Sequence, residues 1–133
     1  ENLRAELWKY LDTRKAHAIQ FDIALDENDA EHALRLWGKL GRFEKEARHE
    51  NLAAAAENSH PDEAFLLWEE LAHSLIARRS RDAYRLAVKA LARARRVLAQ
   101  NGREGEWPAV STALRERYPT LRALKEELDR SGL

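Results

Sequence analysis

The chain has 133 residues, 44% hydrophobic and 35% charged, with 23 Lys+Arg balanced by 23 Asp+Glu; that is one ordinary domain's length with no net charge. It has no cysteine, which excludes a disulfide framework, a thiolate zinc site and a cysteine nucleophile. No apolar run approaches the ~20 residues of a membrane span, so no membrane partner is expected.

Alanine, leucine, arginine and glutamate dominate, and all are strong helix formers. Apart from Gly38, the glycines and prolines fall mostly at helix ends, so an all-α chain is expected. In the first segment Leu3, Leu7, Tyr10, Leu11, Ala18, Phe21 and Leu25 recur at helical spacing, predicting one long helix over 2–26 with a kink near Asp12. Ile19, Phe21, Ile23 and Leu25 also alternate as in a strand, but the helical flanks outweigh that short run. Asn28, three residues before Glu31, reads as a capping box opening a second helix that runs to about Leu40 and stops at Gly41. A third helix covers roughly 43–57. Ser59-His60-Pro61-Asp62 reads as a helix start with Pro61 in the first turn, and a fourth helix follows over 61–78.

The fifth segment, Ser80 to Gly102, organises the rest. Ser80 is an N-cap, Asp82 lies near the positive end of the dipole, and Asn101-Gly102 suits a left-handed C-terminal cap. Ala83, Ala87, Ala90, Leu91, Ala94 and Leu98 form one apolar face, mostly alanine, which lets another helix approach closely. A second face carries Arg78, Arg81, Arg85, Lys89, Arg93 and Arg96, again at steps of three and four. Trp107-Pro108 opens a sixth helix that ends before Pro119. Thr120 is read as the cap of a seventh, ending near Arg130 before Ser131-Gly132. Short connections predict about seven antiparallel helices in a single domain over 1–133, in consecutive hairpins at about 2–57, 61–101 and 106–130.

A weak repeat runs through the first half. Ala33-Leu34-Arg35-Leu36-Trp37-Gly38-Lys39-Leu40-Gly41 matches Ala64-Phe65-Leu66-Leu67-Trp68-Glu69-Glu70-Leu71-Ala72 at an offset of 31 residues. Trp37-x-x-Leu40-Gly41 resembles the opening of a tetratricopeptide repeat, with Ala53 at that motif's alanine position. Trp68-x-x-Leu71-Ala72 repeats it with alanine for glycine. The spacing is shorter than the usual ~34 residues, and Glu57 stands at the motif's later aromatic position. The resemblance implies an α-α superhelix of helical hairpins, with Trp37, Leu40, Trp68, Leu71 and Tyr84 as core or repeat anchors. Residues 60–130 also resemble the C-terminal helical region of bacterial SWIM zinc-finger proteins, through Tyr84, Ala87, Trp107, Leu114 and Leu124-x-x-x-Leu128-Asp129. That resemblance implies a helical module within a larger protein whose zinc finger handles nucleic-acid or partner contact. Without cysteine, this chain holds no finger. The chain starts at Glu1 without a methionine, which fits a domain cut from a longer protein, and a cytoplasmic setting is expected.

Chemistry-bearing patterns are few. Glu46/His49 and Glu70/His73 share the Glu-x-x-His spacing of di-iron carboxylate bundles, but no clear pair of further inward glutamates accompanies them. His17, His32, His49, His60 and His73 share no spacing with a serine nucleophile. Ser59 beside His60 is read as a cap, and the isolated glycines make no phosphate loop. Neither an enzyme nor a cofactor is expected. Trp8, Trp37, Trp68 and Trp107 are candidates to line a pocket, but Trp37 and Trp68, at repeat-equivalent positions, are read as core side chains filling the seam between helices. Charge divides along the chain: residues 1–75 hold 9 Lys+Arg and 16 Asp+Glu, a balance of −7, and residues 76–133 hold 14 and 7, a balance of +7. The cationic stripe therefore has two readings: a surface for phosphates or an acidic partner, or a face paired with acids of neighbouring helices. The expected function is a non-catalytic helical interaction module presenting a groove to a protein or peptide partner. The alternative is nucleic-acid association through helix 80–100, and a metal-binding carboxylate bundle stands third.

Overall fold

The computed structural model describes residues 3–6 and 16–133. All regular structure among them is helical. Residues 3–6 are helical, and seven α-helices follow: α1 His17–Asp26, α2 Ala30–Trp37, α3 Arg42–Ala56, α4 Pro61–Ile76, α5 Arg81–Gln100, α6 Trp107–Arg117 and α7 Arg122–Arg130, with a 3-10 turn at Glu104–Glu106. The contacts cluster into two compact units, Glu1–His60 and Pro61–Leu133.

In the first unit α1, α2 and α3 pack on one another. Their buried faces are built from Phe21 and Ala24, Ala33 and Leu36, and Leu52, Ala53 and Ala56. Arg48 ties α3 to α1 by donating from Nε and Nη2 to the two carboxylate oxygens of Asp22, at 2.8 and 3.0 Å. This bidentate fork fixes orientation as well as distance. The strand-like alternation over 19–25 lies inside α1, because Phe21 and Ala24 supply a helical face and no second strand is present among the described residues. α1 does not continue back through residue 16: Ala16 has φ −93° and ψ 14°, and the helix begins at His17. The expected kink near Asp12, with Leu7, Trp8, Tyr10 and Leu11, lies outside the described residues.

Two boundaries in this unit differ from the sequence expectation. The cap of α2 is Asp29, which accepts from the His32 amide at 3.1 Å, and not Asn28. Asn28 instead takes the left-handed conformation (φ 58°), closing α1 with the Asp29 amide donating to the Ala24 carbonyl at 2.9 Å. α2 also stops at Trp37, three residues before Leu40. The Lys39 and Leu40 amides donate three residues back, tightening the end, and Gly41 is extended (φ −75°, ψ 170°). The Gly41 amide then donates to Glu44, which opens α3.

In the second unit α4 and α5 pack along each other across the short 77–80 connection. Pro61 is the first residue of α4, where a missing N–H is harmless, and Asp62 and Glu63 occupy its first turn. α5 starts at Ser80, whose hydroxyl accepts from the Ala83 amide at 3.2 Å. At 1.5 Å per residue it is about 30 Å long. Its buried face holds Ala83, Tyr84, Ala87, Val88, Ala90, Leu91, Ala94, Val97 and Leu98. α7 packs on α5 through Leu124 and Leu128, both about 1% exposed. α7 is not capped by Thr120. Leu121 holds the N-cap position with no side-chain cap, and Lys125 donates to the Pro119 carbonyl at 2.7 Å. Arg115 links α6 to α7 by donating to Asp129 at 2.8 Å.

α5 ends in a Schellman turn: Gly102 has φ 70°, the Arg103 amide donates to the Leu98 carbonyl at 2.8 Å, and the Gly102 amide to Ala99 at 3.2 Å. Any side chain at this left-handed position carries a strain of about 1–2 kcal/mol. Gly102→Ala is therefore expected to lower stability by roughly 1 kcal/mol in urea titration. Gly105→Ala, at a position with negative φ and open space around the added Cβ, is expected to change little.

Candidate functional site

The cationic stripe is largely engaged within its own unit. Arg81 donates to Glu126 at 3.0 Å and to Glu127 at 2.8 Å, both on α7. Those hydrogen bonds push the Arg81 pKa above its ordinary value. Arg85 lies 3.4 Å from Asp82 and 3.7 Å from Glu127. The Arg93 guanidinium sits over the Trp68 ring, 4.7 Å from its centroid. Arg96 is exposed and engaged. Arg78 and Lys89 are exposed and make no ion pair among the described residues. The carboxylates that meet Arg81 and Arg85 come from α5 itself and from α7, within the basic half of the sequence. The charge asymmetry also softens at the unit boundary. Residues 1–60 hold 9 Lys+Arg and 12 Asp+Glu, a balance of −3, and residues 61–133 hold 14 and 11, a balance of +3. The four acids of α4 that make the difference lie in the same unit as the basic helix.

The repeat anchors divide. Trp68 (1% exposed), Tyr84 and Leu40 are buried, whereas Trp37 and Leu71 are half-buried. Trp37 is the last residue of α2. It lies 5.8 Å from the Phe21 ring and 5.4 Å edge-on from His49, with Lys45 Nζ 5.5 Å from its centroid. Its equivalence to Trp68, which sits mid-helix in the longer α4, does not extend to burial. Ala33/Ala64 and Leu36/Leu67 are alike in being buried.

The two Glu-x-x-His pairs fall in different units. His49 stands against Trp37, and His73 Nδ1 shares a 2.7 Å hydrogen bond with the Tyr118 hydroxyl. Glu46 and Glu70 are exposed. Among the described residues no three His, Asp or Glu side chains gather as a metal would require. No helix there is long and apolar enough to cross a membrane.

The feature that sequence spacing did not bring together is a groove of about 370 Å³ between α4 and α6. Glu69 and His73 of α4 face Ala109, Val110, Ala113, Leu114 and Arg117 of α6 across it. Ala109 and Ala113 are exposed, Val110 is half-buried and Leu114 is buried. Burial pushes the Glu69 carboxyl pKa up; Arg117 opposes that shift and Glu70 adds to it. Burial, then the charge of Arg117, pushes the His73 pKa down. The Arg117 guanidinium lies over the Tyr118 ring at 5.6 Å. His73 was visible in the sequence only as half of a Glu-x-x-His pair. Its partner Tyr118 lies 45 residues away, beyond any periodic signal.

These shifts set opposite pH dependences. A folded-state histidine with a depressed pKa adds stability that is present above the unfolded value, about 6.5, and is lost as pH falls through the folded value. Glu69, with a raised pKa, adds stability that is present below the usual carboxylate range and lost as pH rises through its folded value. In a Glu69→Gln background, where the histidine is no longer opposed by Glu69, stability is expected to fall as pH drops below about 6.5, and His73→Gln is expected to make that fall shallower. Equal slopes with and without His73 in chemical denaturation would show that folding leaves the ring's proton affinity unchanged.

Compared with protein-family models, with curated proteins and with solved structures, the chain finds no match.

Proposed function

We propose that this chain is a non-catalytic helical interaction module that presents the α4/α6 groove to a peptide segment of a partner protein. One observation carries the reading: a groove of about 370 Å³ with aliphatic walls from Ala109, Val110, Ala113 and Leu114 lies open beside a short row of polar side chains. Grooves of this kind accept an amphipathic helix that anchors apolar side chains at helical spacing. Alanines at 109 and 113, one turn apart and exposed, leave room for a partner backbone to come close. The tetratricopeptide-like and SWIM-associated resemblances point the same way, toward a helical-hairpin module working within a larger protein. Nucleic-acid association through α5 is the weaker reading, because Arg81 and Arg85 already meet carboxylates and Arg93 lies on Trp68.

The test is a displayed library of helical peptides about 15 residues long, selected on the whole chain and counter-screened on Ala113→Trp. The indole fills the groove from an exposed position, so folding is expected to survive, which a thermal melt checks. Binders that are lost on Ala113→Trp are expected. A library that yields only binders indifferent to that substitution would overturn the groove.

A further inference from the structure

Glu69 is an unusual wall for an apolar groove. Its side chain is half-buried, and among the described residues it makes neither a hydrogen bond nor an ion pair. A carboxylate taken partly out of water without a donor is destabilised, and the direction of its pKa shift is consistent with that geometry. Glu70, the next residue, adds negative charge. Among the described residues the one cation lining the groove, Arg117, attracts Glu69 through space but makes no ion pair with it; it is exposed to water and lies over Tyr118. Local charge is therefore two carboxylates to one guanidinium, and the group short of a partner is the carboxylate. An anionic occupant would meet Glu69 in a half-desolvated setting and be repelled. A cationic one would supply the missing donor.

The occupant is also longer than the cavity. Leu66 precedes Glu69 by three residues and His73 by seven, so the three share one stripe of α4. Leu66 is 55% exposed, which extends the apolar contact about one turn past the groove. A small molecule that fills the cavity leaves Leu66 bare, whereas a peptide helix running along α4 covers it.

Resting on the groove reading above, we infer that the partner segment is a basic amphipathic helix. One lysine or arginine of it pairs with Glu69, and aliphatic side chains three or four residues away sit against Ala113 and Leu66. Pairing with a half-buried carboxylate adds more than pairing on an open surface, because the carboxylate is already short of water.

The selected peptides that Ala113→Trp abolishes are the probe. Their sequences are expected to carry lysine or arginine three or four residues from a leucine, isoleucine, valine or phenylalanine. In fluorescence anisotropy with the whole chain, Glu69→Gln is expected to weaken such a peptide by about tenfold. The peptide with that lysine replaced by alanine is expected to bind wild type and Glu69→Gln equally, which places the lost energy in this one pair. Glu69→Gln keeps the side chain's shape and removes a desolvated charge, so the fold is retained. Groove-dependent peptides that bind Glu69→Gln as tightly as wild type, or that carry no basic residue, would overturn the basic-helix inference and leave the groove standing. If no peptide depends on Ala113, the groove reading itself fails.

Discussion

Trp68→Ala is expected to destabilise the protein by about 3–5 kcal/mol in denaturant titration, the range for removing a large aromatic side chain from a packed core. Trp68 is 1% exposed, the largest of the fully buried side chains among the described residues. It stands in mid-α4, on the helix that packs most extensively on α5. Small side chains surround that seam, Ala83, Ala87 and Ala94 of α5 among them, and alanines cannot move in to fill the space an indole leaves. Arg93 closes the outer face of the ring at 4.7 Å, and the same substitution removes that cation–π contact. Trp37→Ala provides the contrast. Its ring is half-buried at the end of α2, where water can enter, so a clearly smaller loss is expected. Equal losses at the two positions would mean that the tryptophans are buried alike, as a strict repeat requires. A loss under about 1 kcal/mol for Trp68 would place its ring at the surface.

The contrast between these tryptophans shows how far the sequence reaches. Helix existence, and most helix ends, are governed by nearest neighbours: Pro61 at a first turn, Ser80 three residues before Ala83, and Gly102 where φ must be positive. Such signals are complete within a few residues, and the structure places α4 to α6 close to where they predict. Signals that compete locally are harder. Asn28 and Asp29 are adjacent and both suit a cap; the chain uses one for the left-handed turn and the other for the cap, and spacing to Glu31 does not distinguish them. Trp37 looked equivalent to Trp68 because nine-residue segments align, but Gly38 and the early end of α2 put the ring at a helix terminus. The groove was illegible for a different reason. Glu69 and Ala113 are 44 residues apart, and nothing in either helix's own period indicates which face of α6 turns toward α4. The same holds for the stripe on α5. Arg81, Arg85, Lys89, Arg93 and Arg96 lie along α5 while Arg78 falls in the 77–80 connection before it, and only the docking of α7 brings Glu126 and Glu127 onto Arg81 and Arg85.

That docking sets up the second large effect. α7 buries three residues, Leu124, Glu127 and Leu128, so a carboxylate is part of its anchoring face. Glu127, with a side chain only 6% exposed, lies 2.8 Å from Arg81, 3.7 Å from Arg85 and 3.3 Å from Arg130. Removing one member of a fully buried ion pair costs about 3–5 kcal/mol. Here the three guanidinium side chains are 39–65% exposed and can take up water once the carboxylate is gone. Glu127→Ala is therefore expected to cost about 2–3 kcal/mol, through the lost pairing and the gap left under α7. Glu127→Leu, which refills the gap without a charge, is expected to stay within about 1 kcal/mol of wild type. This second variant also separates the two readings of the stripe. It remains folded and frees Arg81 and Arg85 from their buried counter-charge. Wild type is expected to show weak or no binding to duplex DNA at about 150 mM salt, and Glu127→Leu is expected to bind more tightly, each added phosphate contact steepening the slope of log K against log salt by about 0.9. A submicromolar wild-type complex with a slope near −3 to −4, abolished by Arg85→Glu with Lys89→Glu, would instead mean that about four cations of α5 already serve nucleic acid.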